Sequence, residues 1–205
     1  MSRLLDLKAV SAAKINDAPY PYFTVERSVY DEFVEEVLHD FPKITSGGSF
    51  ALSEVNPGAR FNELLDELNG SAFRDIISEK LQLDLRERPM VITLRGVSRA
   101  KDGRIHTDSK SKIATILIYF NEPWTAASGK LRVLGSENMD DYVTEITPDA
   151  GAMIAFKVTE NCWHGYPAFE GTRQSIQINF VEDEKAANKH GRRHGWTTKL
   201  KKMIS

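Results

Sequence analysis

The chain changes character at Pro89. Before it, apolar residues recur at helical spacing; after it come short β-rich runs separated by turn residues. Ahead of that point, Tyr22–Val25 reads as a strand, and Ser28 is placed to cap a helix with Asp31 three residues on. Tyr30, Phe33, Val34, Val37, Leu38 and Phe41 then follow at the 3.6-residue period until Pro42 stops it. Phe61, Leu64, Leu65 and Leu68 form the stripe of a second helix ending at Gly70. Ser71 caps a third, with Phe73, Ile76, Ile77 and Leu81 facing inward. Beyond Pro89 the expected strands are Val91–Leu94, Ile113–Phe120, Leu131–Leu134, Val143–Ile146, Ala152–Phe156 and Ser175–Val181. Turn-forming clusters around Gly103, Gly129, Gly151 and Gly171 punctuate them. Helices first and strands afterwards predict an α+β fold, with a sandwich or barrel-like jelly roll braced on one sheet by the helices.

Within the strand-rich half lies an ordered set of residues suited to a metal. His106 and Asp108 are two apart, so in extended chain both side chains point the same way. His164 can arrive from a distant strand. Two neutral imidazoles and one carboxylate on a single face leave positions open on an iron(II) ion for other ligands. The same parity places Arg173 and Ser175 on one face of their strand, where a guanidinium and a hydroxyl could hold a carboxylate. Taken singly, each fragment has an ordinary explanation. His106-Thr107-Asp108 could be an exposed loop, His164 a structural histidine, and Arg173 a surface partner of Glu170 or Glu182. Their order together favours a site.

This order resembles the iron(II)- and 2-oxoglutarate-dependent dioxygenases, in particular the prolyl-4-hydroxylase-like branch. It covers roughly residues 89–182: His-x-Asp, a distal His followed by Arg, and Arg-x-Ser. The Ile113–Tyr119 strand running into Phe120-Asn121, the Ser128–Leu131 turn and the Thr147–Phe156 turn and strand are similar too. The resemblance implies a double-stranded β-helix as the jelly roll, Fe(II) held by His106, Asp108 and His164, and 2-oxoglutarate as cosubstrate with dioxygen. It also implies that Arg173 and Ser175 hold the distal carboxylate, with Tyr119 donating through its phenol. Thr115 and Leu117 share Tyr119's parity, and Gln177 and Asn179 that of Arg173. The implied outcome is hydroxylation of an unactivated C–H bond with release of succinate and carbon dioxide. Asp108 argues against the halogenating relatives, and the lack of a second arginine on the Arg173 strand against nucleic-acid dealkylases.

At 205 residues one domain is expected over 1–205: helical support over about 1–88, a jelly-roll core over about 89–182 and a basic tail over about 183–205. The net charge of −2 gives no global attraction to nucleic acid. Asp6 and Lys8 interrupt any signal-peptide core, and no apolar run spans a bilayer. A single cysteine, Cys162, fits a reducing compartment and a cytoplasmic location. The tail's Lys185, Lys189, Arg192, Arg193, Lys199, Lys201 and Lys202 read as solvated, and His190 and His194 are interrupted by glycines. Residues 45–60 are long and glycine-bearing enough for a lid. Lys110 and Lys112, with Arg95, Arg99 and Arg104, would give the entrance a positive edge suited to an anionic or polyhydroxylated substrate. The Glu137–Asp141 loop is acidic and could equally attract a basic peptide. The alternative to an enzyme is a catalytically silent jelly-roll module holding a metal for structure, with Cys162 as a conceivable fourth ligand. Oligomeric state is not legible.

Overall fold

The structure, a computed structural model, describes residues 3–189. The first half contributes α1 (Leu7–Ala12), β1 (Tyr22–Val25), α2 (Asp31–His39), β2 (Phe50–Ala51), α3 (Ala59–Asn69) and α4 (Ser71–Leu81). The second contributes β3 (Met90–Ser98), β4 (Lys112–Tyr119), β5 (Leu131–Leu134), β6 (Tyr142–Ile146), β7 (Met153–Lys157), β8 (His164–Gly165) and β9 (Gly171–Val181). They form a six-stranded sheet, β1-β7-β4-β9-β3-β2, and a three-stranded sheet, β6-β5-β8. The pairings within both are antiparallel. This is the expected α+β jelly roll. No helix among the described residues is long and apolar enough to cross a membrane.

Strand alternation divides the interior in two. Along β4, Ala114, Ile116 and Ile118 join Phe61, Leu64 and Leu68 of α3 and Phe73 and Ile77 of α4 in one core. Tyr119 faces the other way, into a second core between the sheets with Leu131, Val133, Ile154 and Phe156. Both faces of the strand are covered, which is why β4 reads as an almost continuous apolar run. Each large side chain so buried contributes roughly 1.5–3 kcal/mol before the entropy of ordering it is counted. Polar residues on the inter-sheet face, Thr115, Ser175 and Asn179, interrupt this second core and mark where the site lies.

Several expectations are corrected. Ser28 does not cap α2; Tyr30 occupies that position without a side-chain bond. Ser28 is instead fully buried, and its hydroxyl donates to the Gly151 carbonyl at 2.8 Å. Gly70 ends α3 with φ of −70°, outside the left-handed region, and serves directly as the N-cap of α4, so Ser71 is helical. The helix α1, capped by Asp6 accepting from the Ala9 N–H at 2.9 Å, was not expected. Part of the 45–60 segment lies along the edge of β3: Phe50 and Ala51 pair with Leu94 and Thr93, and Gly47 bridges Val97. The candidate lid is therefore in part an edge cover for the large sheet.

Candidate metal centre

The segment after the Gly103 turn is aligned to β8. His106 and His164 exchange backbone hydrogen bonds, N to O at 3.1 Å and 3.0 Å, as an antiparallel bridge. Their rings come to 4.3 Å between centroids. Asp108, two residues on, completes a cluster in which one ligand atom from each of His106, Asp108 and His164 lies within 4.8 Å of the others. Gly103 is required for this approach. Its φ is +81°, and a Cβ there would sit 2.6 Å from the Tyr166 ring.

Each imidazole is oriented by a backbone carbonyl. His106 Nδ1 lies 2.9 Å from the Arg104 carbonyl and His164 Nδ1 2.8 Å from that of Cys162. A carbonyl only accepts, so Nδ1 carries the proton in both rings and Nε2 keeps its lone pair for a metal. Burial, reinforced by His106, pushes His164 down to about 4, so it is neutral at pH 7. Burial alone would raise the Asp108 carboxyl. The Lys112 ammonium, His164 and the hydrogen bonds from Lys112 and Thr115 outweigh it and hold the group below its usual range. Its two oxygens meet Lys112 Nζ at 2.6 Å and Thr115 Oγ1 at 2.5 Å. One anionic carboxylate beside two imidazoles is the donor set that suits a non-haem iron(II) ion with open positions.

The His164 shift has a consequence for the iron-free protein. A histidine whose folded value is depressed is bound by more protons in the unfolded chain as pH falls below about 6.5. Its contribution to stability is thus complete above that value and is lost as pH drops towards 4. Denaturation midpoints of the iron-free protein are expected to fall over this window, and to fall less in His164→Gln.

On the inter-sheet face of β9 is a buried cation with no carboxylate partner among the described residues. Arg173 is 5% exposed, and its Nε donates to the Gly129 carbonyl at 2.7 Å. Its guanidinium carbon lies 3.9 Å from the Tyr166 ring centroid, and Nη2 lies 3.4 Å from the Tyr119 hydroxyl. Neither Glu170 nor Glu182 pairs with it; among the described residues no carboxylate does. Ser175, opposite Tyr119 in the β4–β9 register, buries its hydroxyl with no hydrogen-bond partner. Burial raises the Tyr119 phenol, which stays a donor. A buried guanidinium and an orphaned hydroxyl side by side are what a carboxylate from outside the chain would satisfy. The residues present therefore fit both an iron ion and a 2-oxo dicarboxylate.

Other expected contributors are placed differently. Cys162 lies in the inter-sheet core and is not in the metal cluster; only its carbonyl serves, through His164. Lys112 pairs with Asp108, and Lys110 with Glu160. Arg99 is neutralised by Asp102 at 2.9 Å, and Arg95 sits opposite Ser175 in the β3–β9 register. In the acidic loop, Asp140 meets Arg132 and Asp141 accepts from Ser136. Gln177 reaches Asn179 at 3.3 Å. The tail beyond Lys189, with His190 and His194, lies outside the described residues. Tyr166, as the platform under Arg173, and the Gly129 carbonyl were not anticipated. A cavity of about 600 Å³ between α2 and the turns at Asn121–Pro123 and Thr147–Ala150 contains none of the site residues.

Comparison with known proteins bears on this arrangement. Residues 96–181 match the family described as the 2OG-Fe(II) oxygenase superfamily. No curated protein sequence matches the chain significantly. Among solved structures, a Pseudomonas putida prolyl-4-hydroxylase is similar with a TM-score of 0.54 at 16% identity, over 87% of this chain and 92% of that one. A prolyl 4-hydroxylase from Phytophthora capsici gives 0.59 at 12% identity, over 92% and 69%. The viral collagen prolyl hydroxylase from Paramecium Bursaria Chlorella virus-1, in its 2OG complex, gives 0.51 at 15%, over 78% and 96%. At these identities the likeness is one of fold. Residues 96–181 thus match the 2OG-Fe(II) oxygenase superfamily, on a fold shared with prolyl 4-hydroxylases, and the family uses Fe(II), 2-oxoglutarate and dioxygen.

Proposed function

We propose that the protein is an Fe(II)- and 2-oxoglutarate-dependent dioxygenase that hydroxylates an unactivated C–H bond of a small-molecule, sugar or peptide substrate, releasing succinate and carbon dioxide. The observation that carries this reading is the pairing of a three-ligand cluster with a buried, carboxylate-free Arg173 and an orphaned Ser175 hydroxyl. A metal held only for structure would leave Arg173 and Ser175 without a purpose. A structural zinc site would also close with a fourth ligand, and the cluster among the described residues offers three.

In this reading His106, Asp108 and His164 hold iron, and Arg173, Ser175 and Tyr119 hold the distal carboxylate of 2-oxoglutarate. Iron with the 2-oxo acid and dioxygen supplies the oxidising power. The chain supplies the rest. The Arg104 and Cys162 carbonyls fix the imidazole tautomers, Thr115 and Lys112 aim the Asp108 carboxylate, and Gly129 and Tyr166 fix the guanidinium. The Phe156 ring, 5.0 Å from that of His164, keeps water from that side of the centre. The prolyl hydroxylation named for the similar structures makes a prolyl peptide one substrate to test.

Aerobic incubation with Fe(II) and 2-oxoglutarate tests the reading. Slow succinate release that requires iron and stops in His164→Ala is expected. A protein that holds both iron and 2-oxoglutarate yet yields no succinate, with or without candidate substrates, would make the silent module the better account. Tyr166→Leu removes the ring on which Arg173 rests. It is expected to raise the apparent Kd for 2-oxoglutarate about tenfold, in line with a partly buried cation–π contact of about 1–2 kcal/mol. Fe(II) affinity should hardly change.

A further inference from the structure

Beside Asp108 is a cavity of about 430 Å³ lined by Thr107, Asp108, Lys110, Lys112, Val158 and Glu160. That volume falls within the range of small-molecule sites. Lys110 and Glu160 form an exposed pair at 2.9 Å, with side chains 88% and 86% accessible, so they answer each other in water. Lys112 differs. Its side chain is 11% accessible, and its one ion-pair partner among the described residues is Asp108 at 2.6 Å, itself 4% accessible.

The balance shifts when the centre is loaded. A dication on Asp108 takes over that carboxylate's charge, and the two carboxylates of 2-oxoglutarate are answered by iron and by Arg173. Lys112 is then a largely buried ammonium facing a small cavity, sharing its anion with a more highly charged neighbour. A buried charge in that position calls for an anion of its own. Lysine, a compact point charge with three donors, suits a carboxylate or a phosphate equally.

We propose that Lys112 binds an anionic group of the substrate, a carboxylate or phosphate, in the cavity beside Asp108, so that the enzyme acts on an acidic small molecule. This rests on the Fe(II)/2-oxoglutarate reading. Metal binding and substrate binding are coupled through it: the anion subsite becomes available once iron engages Asp108.

Inorganic phosphate is a suitable probe. Anaerobic protein loaded with Fe(II) and 2-oxoglutarate is titrated with phosphate in a calorimeter at constant ionic strength, using wild type, Lys112→Met and Lys112→Arg. The visible absorbance of each loaded sample is recorded first. Saturable binding in the wild type, weakened at least tenfold in Lys112→Met and retained in Lys112→Arg, is expected, with much weaker binding to metal-free protein. Lys112→Gln, which can still hydrogen-bond to Asp108 without charge, replaces the Met variant if that one does not fold or load. Phosphate binding of equal strength in wild type and the uncharged variants would mean coordination to iron or an adventitious ion only, and would overturn the proposal. So would no binding to a wild type that shows the 2-oxoglutarate band, leaving the cofactor reading intact. A missing band would overturn both.

Discussion

Asp108→Ala is expected to abolish iron-dependent turnover and also to destabilise the fold. The functional loss should exceed the roughly 10- to 100-fold in metal affinity that follows removal of a mere supporting hydrogen bond, because a ligand and its charge are lost together. The structural loss has a separate origin. Lys112 is largely buried and among the described residues has no other ion-pair partner than Asp108, so deleting the carboxylate strands an ammonium at a cost of about 3 kcal/mol or more. The two effects come apart in the double variant Asp108→Ala/Lys112→Met. Chemical denaturation should show much of the stability restored, while iron binding stays absent. A single variant as stable as wild type would mean that the Lys112–Asp108 pair is not the buried contact described.

Arg173→Ala is expected to behave in the opposite manner. The free protein loses one bond to the Gly129 carbonyl and the contact with Tyr166, but it is also relieved of a buried cation without a carboxylate. Its stability without ligand should change little. Binding of 2-oxoglutarate should weaken by about 2–5 kcal/mol, roughly 30-fold to several thousandfold, the usual consequence of truncating one member of a desolvated charge pair. Since a ligand at free concentration L stabilises the folded state by RT ln(1 + L/Kd), the rise in Tm on adding 2-oxoglutarate to iron-loaded protein should all but vanish in the variant at concentrations that just saturate the wild type. An undiminished rise would place the cosubstrate carboxylate elsewhere. Arg173→Lys should recover only part of the loss, because an ammonium cannot reproduce the guanidinium fork while also holding the Gly129 carbonyl.

The positions that share a face by strand parity were legible in the sequence. His106 with Asp108, and Arg173 with Ser175, follow from the period of two once the strands are recognised. What was missed depends on tertiary contacts with no period. β8 has two residues, too few to show alternation; it is defined by its pairing with β5, and the His106–His164 bridge lies outside that ladder. Ser28 with Asp31 fits a capping pattern, yet the Gly151 carbonyl, distant in sequence, takes the hydroxyl. Lys112 is the most telling case. Thr115 faces the inter-sheet core, so simple alternation would send Lys112 to the opposite face of β4. The register shift between Lys112 and Ala114 reverses its parity, and both side chains meet Asp108. A bulge of this kind leaves no signature in residue types, and it brings Lys112 to the Asp108 carboxylate.

In the proposed reading, one pocket holds iron on His106, Asp108 and His164 and 2-oxoglutarate on Arg173 and Ser175. Anaerobic visible absorbance tests it most directly, with Fe(II) added to iron-free protein first and 2-oxoglutarate second. A charge-transfer band that appears only after the second addition, weak or absent in Asp108→Ala and Arg173→Ala, is the predicted result. A folded, iron-loaded wild type that develops no band on adding 2-oxoglutarate would contradict the assignment.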